Sequence, residues 1–177
     1  MSTHMLPPIE KLPQLSTAER ANILDTLFEP CTALHTLSVD LLHTSSYRTY
    51  EDLIADVGRQ MIALSESTST SDTVWLEKIL KAHPKLGAKK VHSTQSQAEQ
   101  AQLGGGGEEA ERLRALNEEY EQTFSGLIYV VFVNGRSRSI IMEDMQARIG
   151  RGDITLERLD AIKAMCDIAN DRAQKLT

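Results

Sequence analysis

Residues 127–135 read LIYVVFVNG, and whether they form a strand decides the fold class. Seven apolar residues, rich in β-branched and aromatic types and closed by Asn134-Gly135, have the local propensity of a buried strand and turn. A strand needs a partner, and no other stretch of the chain reads as one. Left alone, it would strand its backbone N–H and C=O groups without hydrogen bonds. Propensity should therefore lose, leaving a short extended segment or the start of a helix buried on all sides. The fold class expected is all-α.

Working outward from that segment, apolar residues recur at helical spacing on both sides. Upstream, a helix over 108–124 carries Leu113, Leu116, Tyr120 and Phe124. Downstream, one over 137–149 turns Ile140, Ile141 and Met145 inward, and Gly150 to Gly152 stop it. The last helix starts near Thr155, with Asp153 or Thr155 as cap. Its stripe is Leu159, Ile162, Met165, Ala169, Arg172 and Leu176.

The first half of the chain follows the same pattern. A proline-punctuated arm offers Leu6, Ile9, Leu12 and Leu15 for packing. Ser16-Thr17-Ala18-Glu19 is a capping box for a helix with Ile23, Leu24, Leu27 and Phe28. Glu29-Pro30 breaks it, and a second helix carries Leu34, Leu37, Leu41 and Leu42. A third spans 50–64. The hydroxyl-rich stretch 65–71 is expected as a surface loop, after which Asp72 caps a helix with Trp75, Leu76, Ile79 and Leu80. The second surface loop expected is 104–107, four glycines that lack the Lys-Ser/Thr of a phosphate loop. The sum is one domain over 1–177, a bundle of about seven to nine helices.

Composition narrows the function. Hydrophobic residues make up 41% and charged residues 25%, a globular balance. With a net charge of −6 and basic residues clustered only at Lys89-Lys90 and Arg136 to Arg138, no nucleic-acid partner is expected. No apolar run reaches bilayer length, so no membrane partner is expected either. Cys31 and Cys166 read as reduced core thiols, and His35 and His43, eight apart, are too far separated for a paired metal site; no metal is expected. The N-terminus lacks a secretory pattern and Lys175-Leu176-Thr177 is not the Ser-Lys-Leu address, so the expected compartment is the cytoplasm, with the peroxisome as alternative.

Between the fourth and fifth helices lies WLEKILKAHPKLGAKKVHSTQSQAEQ, residues 75–100. Pro84 stops one helix directly after His83, and a new helix is expected to open at Ser96. On spacing alone, Ser96-x-x-Glu99 is a second capping box and His83 a helix-terminal histidine meeting its last carbonyls. A helix N-terminus also favours anions, so a ligand could sit beside Ser96. Arg172 on the apolar stripe of the last helix is costly to bury without an anion. It either snorkels past the core edge, pairs with a structural carboxylate, or clamps an anion inside a pocket.

Several motifs occur together in order: His83-Pro84-Lys85-Leu86-Gly87, Ser96-x-x-Glu99-Gln100, Leu116-Asn117-x-x-Tyr120-x-x-x-Phe124 and Ile168-Ala169-x-x-Arg172, with Phe28-Glu29-Pro30 near the first helix. This set resembles the 2-oxo-4-hydroxy-4-carboxy-5-ureidoimidazoline (OHCU) decarboxylases of uric acid degradation, over about Leu12 to Leu176. Two departures stand out: Phe124-Ser125-Gly126 where Phe-Gly is common, and the serine and glycine stretches, which look like insertions of fungal-type members. The resemblance implies an all-helical carboxy-lyase, usually a homodimer, that needs no cofactor and forms (S)-allantoin and CO2 in purine metabolism. It implies His83 and Glu99 as the catalytic pair. Substrate would be held by Pro84, Ser96, Gln100, the stretch Ile128, Tyr129, Val130, Val131 and Phe132, and Arg172.

Those residue types suit the reaction. The substrate's own ring can take up the electrons left when the carboxylate departs, which fits the lack of a pyridoxal-lysine or metal motif. The protein has then to stabilise developing negative charge, move protons and protonate one face. An imidazole of ordinary pKa, near ~6.5, exchanges protons at neutral pH. Two alternatives stay open: a helical anion-binding or adaptor module without catalysis, and a same-fold enzyme acting on another small anion.

Overall fold

The computed structural model describes residues 5–87, 93–101 and 107–177. The Lys89-Lys90 pair and most of the expected 104–107 loop lie outside these residues. Among them, a 3-10 segment at Ile9–Gln14 precedes nine α-helices: α1 (Thr17–Leu27), α2 (Thr32–Ser38), α3 (Leu41–Thr44), α4 (Tyr50–Glu66), α5 (Thr70–Leu80), α6 (Thr94–Ala101), α7 (Glu108–Thr123), α8 (Arg138–Arg151) and α9 (Ile154–Leu176). The described residues contain no strand, and the fold is all-α. None of the helices is long and apolar enough to cross a membrane.

The caps form where short polar side chains precede apolar periodicity. Ser16 Oγ accepts from the Glu19 amide at 3.2 Å, while Glu19 Oε2 accepts from the Ser16 amide at 2.7 Å. Asp153 accepts from Leu156 N at 3.0 Å and opens α9. The core is built chiefly on α9 lying against α4, with α1 and α5 flanking. Leu24, Leu27, Phe28, Leu53, Val57, Met61, Ile79, Leu80 and Ala169 are wholly enclosed there. Gly58 lets α4 and α9 approach: a Cβ at this position would stand 3.0 Å from Cys166 Sγ. The N-terminal arm packs down as expected, with Leu6 N donating to Leu176 O at 2.8 Å and the Tyr50 hydroxyl donating to Pro7 O at 2.6 Å.

Residues 127–133 form neither helix nor strand, and arginines bond the carbonyls that a partner strand would have met. Arg148 Nη1 donates to Val130 O at 3.2 Å, Arg136 Nε to Val133 O at 3.2 Å, and Arg136 Nη2 to Phe132 O. Asn134 and Gly135 both take positive φ, 48° and 73°, and Arg136 N closes the turn onto Val133 O at 3.0 Å. Arg148 is itself buried, with Nε on Glu157 Oε1 at 2.7 Å and its guanidinium 4.7 Å from the Tyr129 ring centre.

Several local expectations need correction. The second helix is two, α2 and α3, interrupted at Val39-Asp40. The serine-rich loop shrinks to Ser67–Ser69, because α4 runs to Glu66 and α5 starts at Thr70. Asp72 therefore sits inside the first turn, accepting from Ser67 Oγ at 2.6 Å rather than capping. Ile140 is half exposed, and Met142 takes its place in the core beside Ile141 and Met145. Cys31 and Cys166 are free thiols but half-buried rather than fully enclosed.

Candidate active site

A cavity of about 110 Å³ opens between the end of α5, the face of α6, the 129–135 segment and the last turns of α9. α5 ends at Leu80, three residues short of the His83-Pro84 stop expected from the sequence, and the turn that follows carries His83 inward, to 4% exposure. Gln100 fixes this loop: its Oε1 accepts from Gly87 N at 3.1 Å and its Nε2 donates to Lys85 O at 3.0 Å. Asn117 Nδ2 adds a bond to Leu86 O at 3.1 Å. The His-Pro loop is thus held from α6 and α7 together.

Ser93, not Ser96, caps α6: its Oγ accepts from Ser96 N at 3.0 Å. The capping box expected at Ser96 and Glu99 does not form, because both residues lie inside the helix. Being three apart, they share the cavity face. Ser96 Oγ donates to Glu29 Oε1, as does Ser93 Oγ at 2.9 Å.

Arg172 joins these groups from α9. Its Nε donates to Glu99 Oε2 at 3.0 Å and its Nη2 to Glu99 Oε1 at 2.7 Å, a bidentate pair. Nη2 also reaches Glu29 Oε1 at 2.9 Å and Ser96 Oγ at 3.1 Å, while Nη1 bonds Thr26 O and Leu27 O at 3.3 and 3.4 Å. Burial works against the charge, but the bonds and charge of Glu99, then those of Glu29, hold its pKa above the ordinary arginine value. This corrects the picture of Arg172 as a clamp across the pocket. It is adjacent to Glu99 as required, but its N–H groups are directed at protein acceptors and it does not line the cavity.

The remaining expected residues are placed as follows. His83, Pro84, Ser96, Glu99, Gln100, Tyr129, Val130, Val131 and Phe132 all border the cavity. Ile128 does not; its side chain belongs to the core. The Tyr129 hydroxyl turns away to donate to Asp144 on α8. Among the described residues, no backbone N–H from Ile128 to Val133 finds a backbone acceptor. Lys175 and Asp171 also border the cavity, paired at 2.7 Å, and Lys175 is its one Lys or Arg among the described residues. Their spacing from Ile168 on α9 was the available sequence signal. Glu29 was quoted in a motif but had no role until Arg172 brought it to the site.

His83 is the chemically unusual group. Burial first, and the neighbouring Arg172 charge second, lower its pKa from 6.5 to about 3, so it is a neutral imidazole at pH 7 rather than one poised between forms. Its buried Nε2 has no hydrogen-bond partner among the described residues. A buried polar nitrogen without a partner is costly, and a ligand atom in the cavity would relieve it. Glu29 is the backbone outlier: φ is +130° in a non-glycine residue, at a cost of roughly 1–3 kcal/mol that only surrounding bonds can sustain.

The chain matches the family described as OHCU decarboxylase over residues 13–174 of 177. The match includes His83, Ser96, Glu99 and Arg172. No curated protein matches the chain.

Proposed function

The chain belongs to the OHCU decarboxylase family, carboxy-lyases of purine degradation, and from that premise we propose that it converts OHCU to (S)-allantoin and CO2 without a cofactor. The observation carrying the reading is the buried, unpartnered Nε2 of neutral His83 on the wall of a small cavity that Glu99 also borders.

In this reaction the bond between ring carbon and carboxylate breaks heterolytically. CO2 leaves, the electron pair passes into the ring, and a proton is added to one face. A neutral His83 suits the resting site, since Nε2 is free to bond the substrate, while Glu99 handles the hydroxyl or ring proton beside it. Free backbone N–H groups in the 128–133 stretch are suited to oxygens that gain charge as CO2 departs. Pro84, Gln100 and residues 129–132 shape the remainder of the pocket. Arg172 acts through Glu99, by fixing its carboxylate, rather than on the substrate, and Ser96, which borders the cavity, also holds Arg172. Lys175 supplies positive charge toward an anionic substrate. The protein works as a homodimer, which light scattering would show as twice the mass of one chain.

The test is turnover of freshly generated OHCU in chelator-treated buffer, followed by circular dichroism against the slow racemic spontaneous reaction. The purified chain should produce optically active (S)-allantoin, and His83→Asn should abolish it with helicity intact. Near-normal stereoselective turnover by that variant would overturn the assignment.

A further inference from the structure

Glu29 is a buried carboxylate that does not border the cavity, yet three side chains of the site donate to one of its oxygens. Ser93, Ser96 and Arg172 all converge on Oε1. The residue is 3% exposed and holds a φ of +130° immediately before Pro30, a backbone state a side chain seldom adopts. Local strain of this kind persists where surrounding bonds over-determine it, and such places cluster at working sites.

From this geometry we infer that Glu29 is a positioning residue for Glu99, acting through a shared Arg172. An arginine on a long side chain has many rotamers, and one carboxylate would not fix its guanidinium plane. Glu29 and the carbonyls of Thr26 and Leu27 hold the guanidinium from the far side. The Nε and Nη2 edge is then presented to both Glu99 oxygens, at 3.0 and 2.7 Å. Glu29 also takes the Ser93 and Ser96 hydroxyls, so the first turn of α6 is tied to the same point. The carboxylate that borders the cavity is therefore aimed by one that does not. Two carboxylates on one guanidinium leave the trio with net negative charge, which keeps Glu99 from being fully neutralised by its own anchor. This inference rests on the reading of Glu99 as a reacting group.

The test is Glu29→Gln, which keeps shape and removes charge, read by steady-state kinetics, thermal midpoint and crystal structure of the full-length chain. Glu29→Asp, which keeps charge on a shorter stem, carries the same test should Gln prevent folding. A misaimed Glu99 should lower kcat by about 10²-fold, while KM stays within about threefold because Glu29 itself does not border the cavity and the other lining residues keep their places. The thermal midpoint should fall, because a buried ion pair loses one charge, while the variant stays folded at the assay temperature. Unchanged kcat overturns the inference, and so does a loss of activity that merely tracks the loss of folded protein. A raised KM at constant kcat overturns it as well. If the unmodified chain does not turn over OHCU, the functional reading fails by itself and the crystal structures decide Glu29. A Glu99 carboxylate rotated off Arg172 in the variant supports the inference, and retained contacts at 2.7 and 3.0 Å refute it.

Discussion

At His83, burial and the adjacent Arg172 charge both press the imidazole toward its neutral form, and the pKa falls to about 3. In the unfolded chain the same ring titrates near ~6.5. Between those values the unfolded state binds more protons than the folded one, so stability falls as pH drops from about 6.5 toward 3. The slope from this group reaches about 1.4 kcal/mol per pH unit. His83→Asn should flatten that acid-side decline in urea-unfolding energies taken across the window, and an unaltered slope would show that His83 does not cause it. The catalytic consequence is just as direct: kcat/KM should show no inflection near pH 6.5, because the folded imidazole has no proton to gain there. A ring nitrogen shift by NMR that titrates near 6.5 in the folded protein would contradict both statements.

The segment 127–133 is the element where local and global demands part. Its residues prefer a strand, but no strand forms, and the N–H donors a neighbouring strand would supply come instead from Arg136 and Arg148. The lack of a second strand pattern made the all-α outcome legible. The arginines were not: Arg136 stood out only as part of a short basic cluster, and nothing in the helix pattern marked Arg148. Caps of α1 and α9 were legible because they are local chemistry; the cap of α6 was misplaced by three residues because Ser93 and Ser96 offer the same hydroxyl. His83 and Glu99 could be singled out by motif. The partners of Arg172 could not, since Glu29 lies 143 residues away and nothing in local spacing joins them. Arg148 shows what a buried ion pair contributes. Glu157 is fully enclosed and accepts from Arg148, from the Tyr120 hydroxyl and from Arg151 Nη2 at 3.3 Å. Arg148→Met strips its main cation, and breaking a buried pair from one side costs about 3–5 kcal/mol. With Arg151 still in reach, chemical denaturation should report the lower end of that range. Arg148→Met with Glu157→Leu should recover much of the loss, and failure to recover would mean the arginine matters mainly through Val130 O.

Across the whole molecule, α9 is both the central packing helix and the carrier of Arg172, Asp171 and Lys175, so the core and the cavity share one helix. Its seat on α4 depends on Gly58, where a Cβ would meet Cys166 Sγ at 3.0 Å. Two effects compete in Gly58→Ala. Alanine inside a helix is worth about 1 kcal/mol over glycine, whereas forcing an extra methyl into a packed contact costs typically 1–3 kcal/mol. The contact should win, since relief requires either the thiol to leave its rotamer or α9 to lift from α4. Removing the thiol removes the obstacle, so Gly58→Ala in a Cys166→Ala background should stabilise by about 1 kcal/mol. The two substitutions are therefore non-additive, and a double-mutant cycle in urea measures the coupling. Activity provides the second readout. Arg172 lies less than two helical turns beyond Cys166, so a lifted α9 in the single variant should lower kcat through Glu99, and the double variant should restore it. Additive energies with unchanged kcat would show that the α4–α9 contact yields locally, without moving the helix that aims the site.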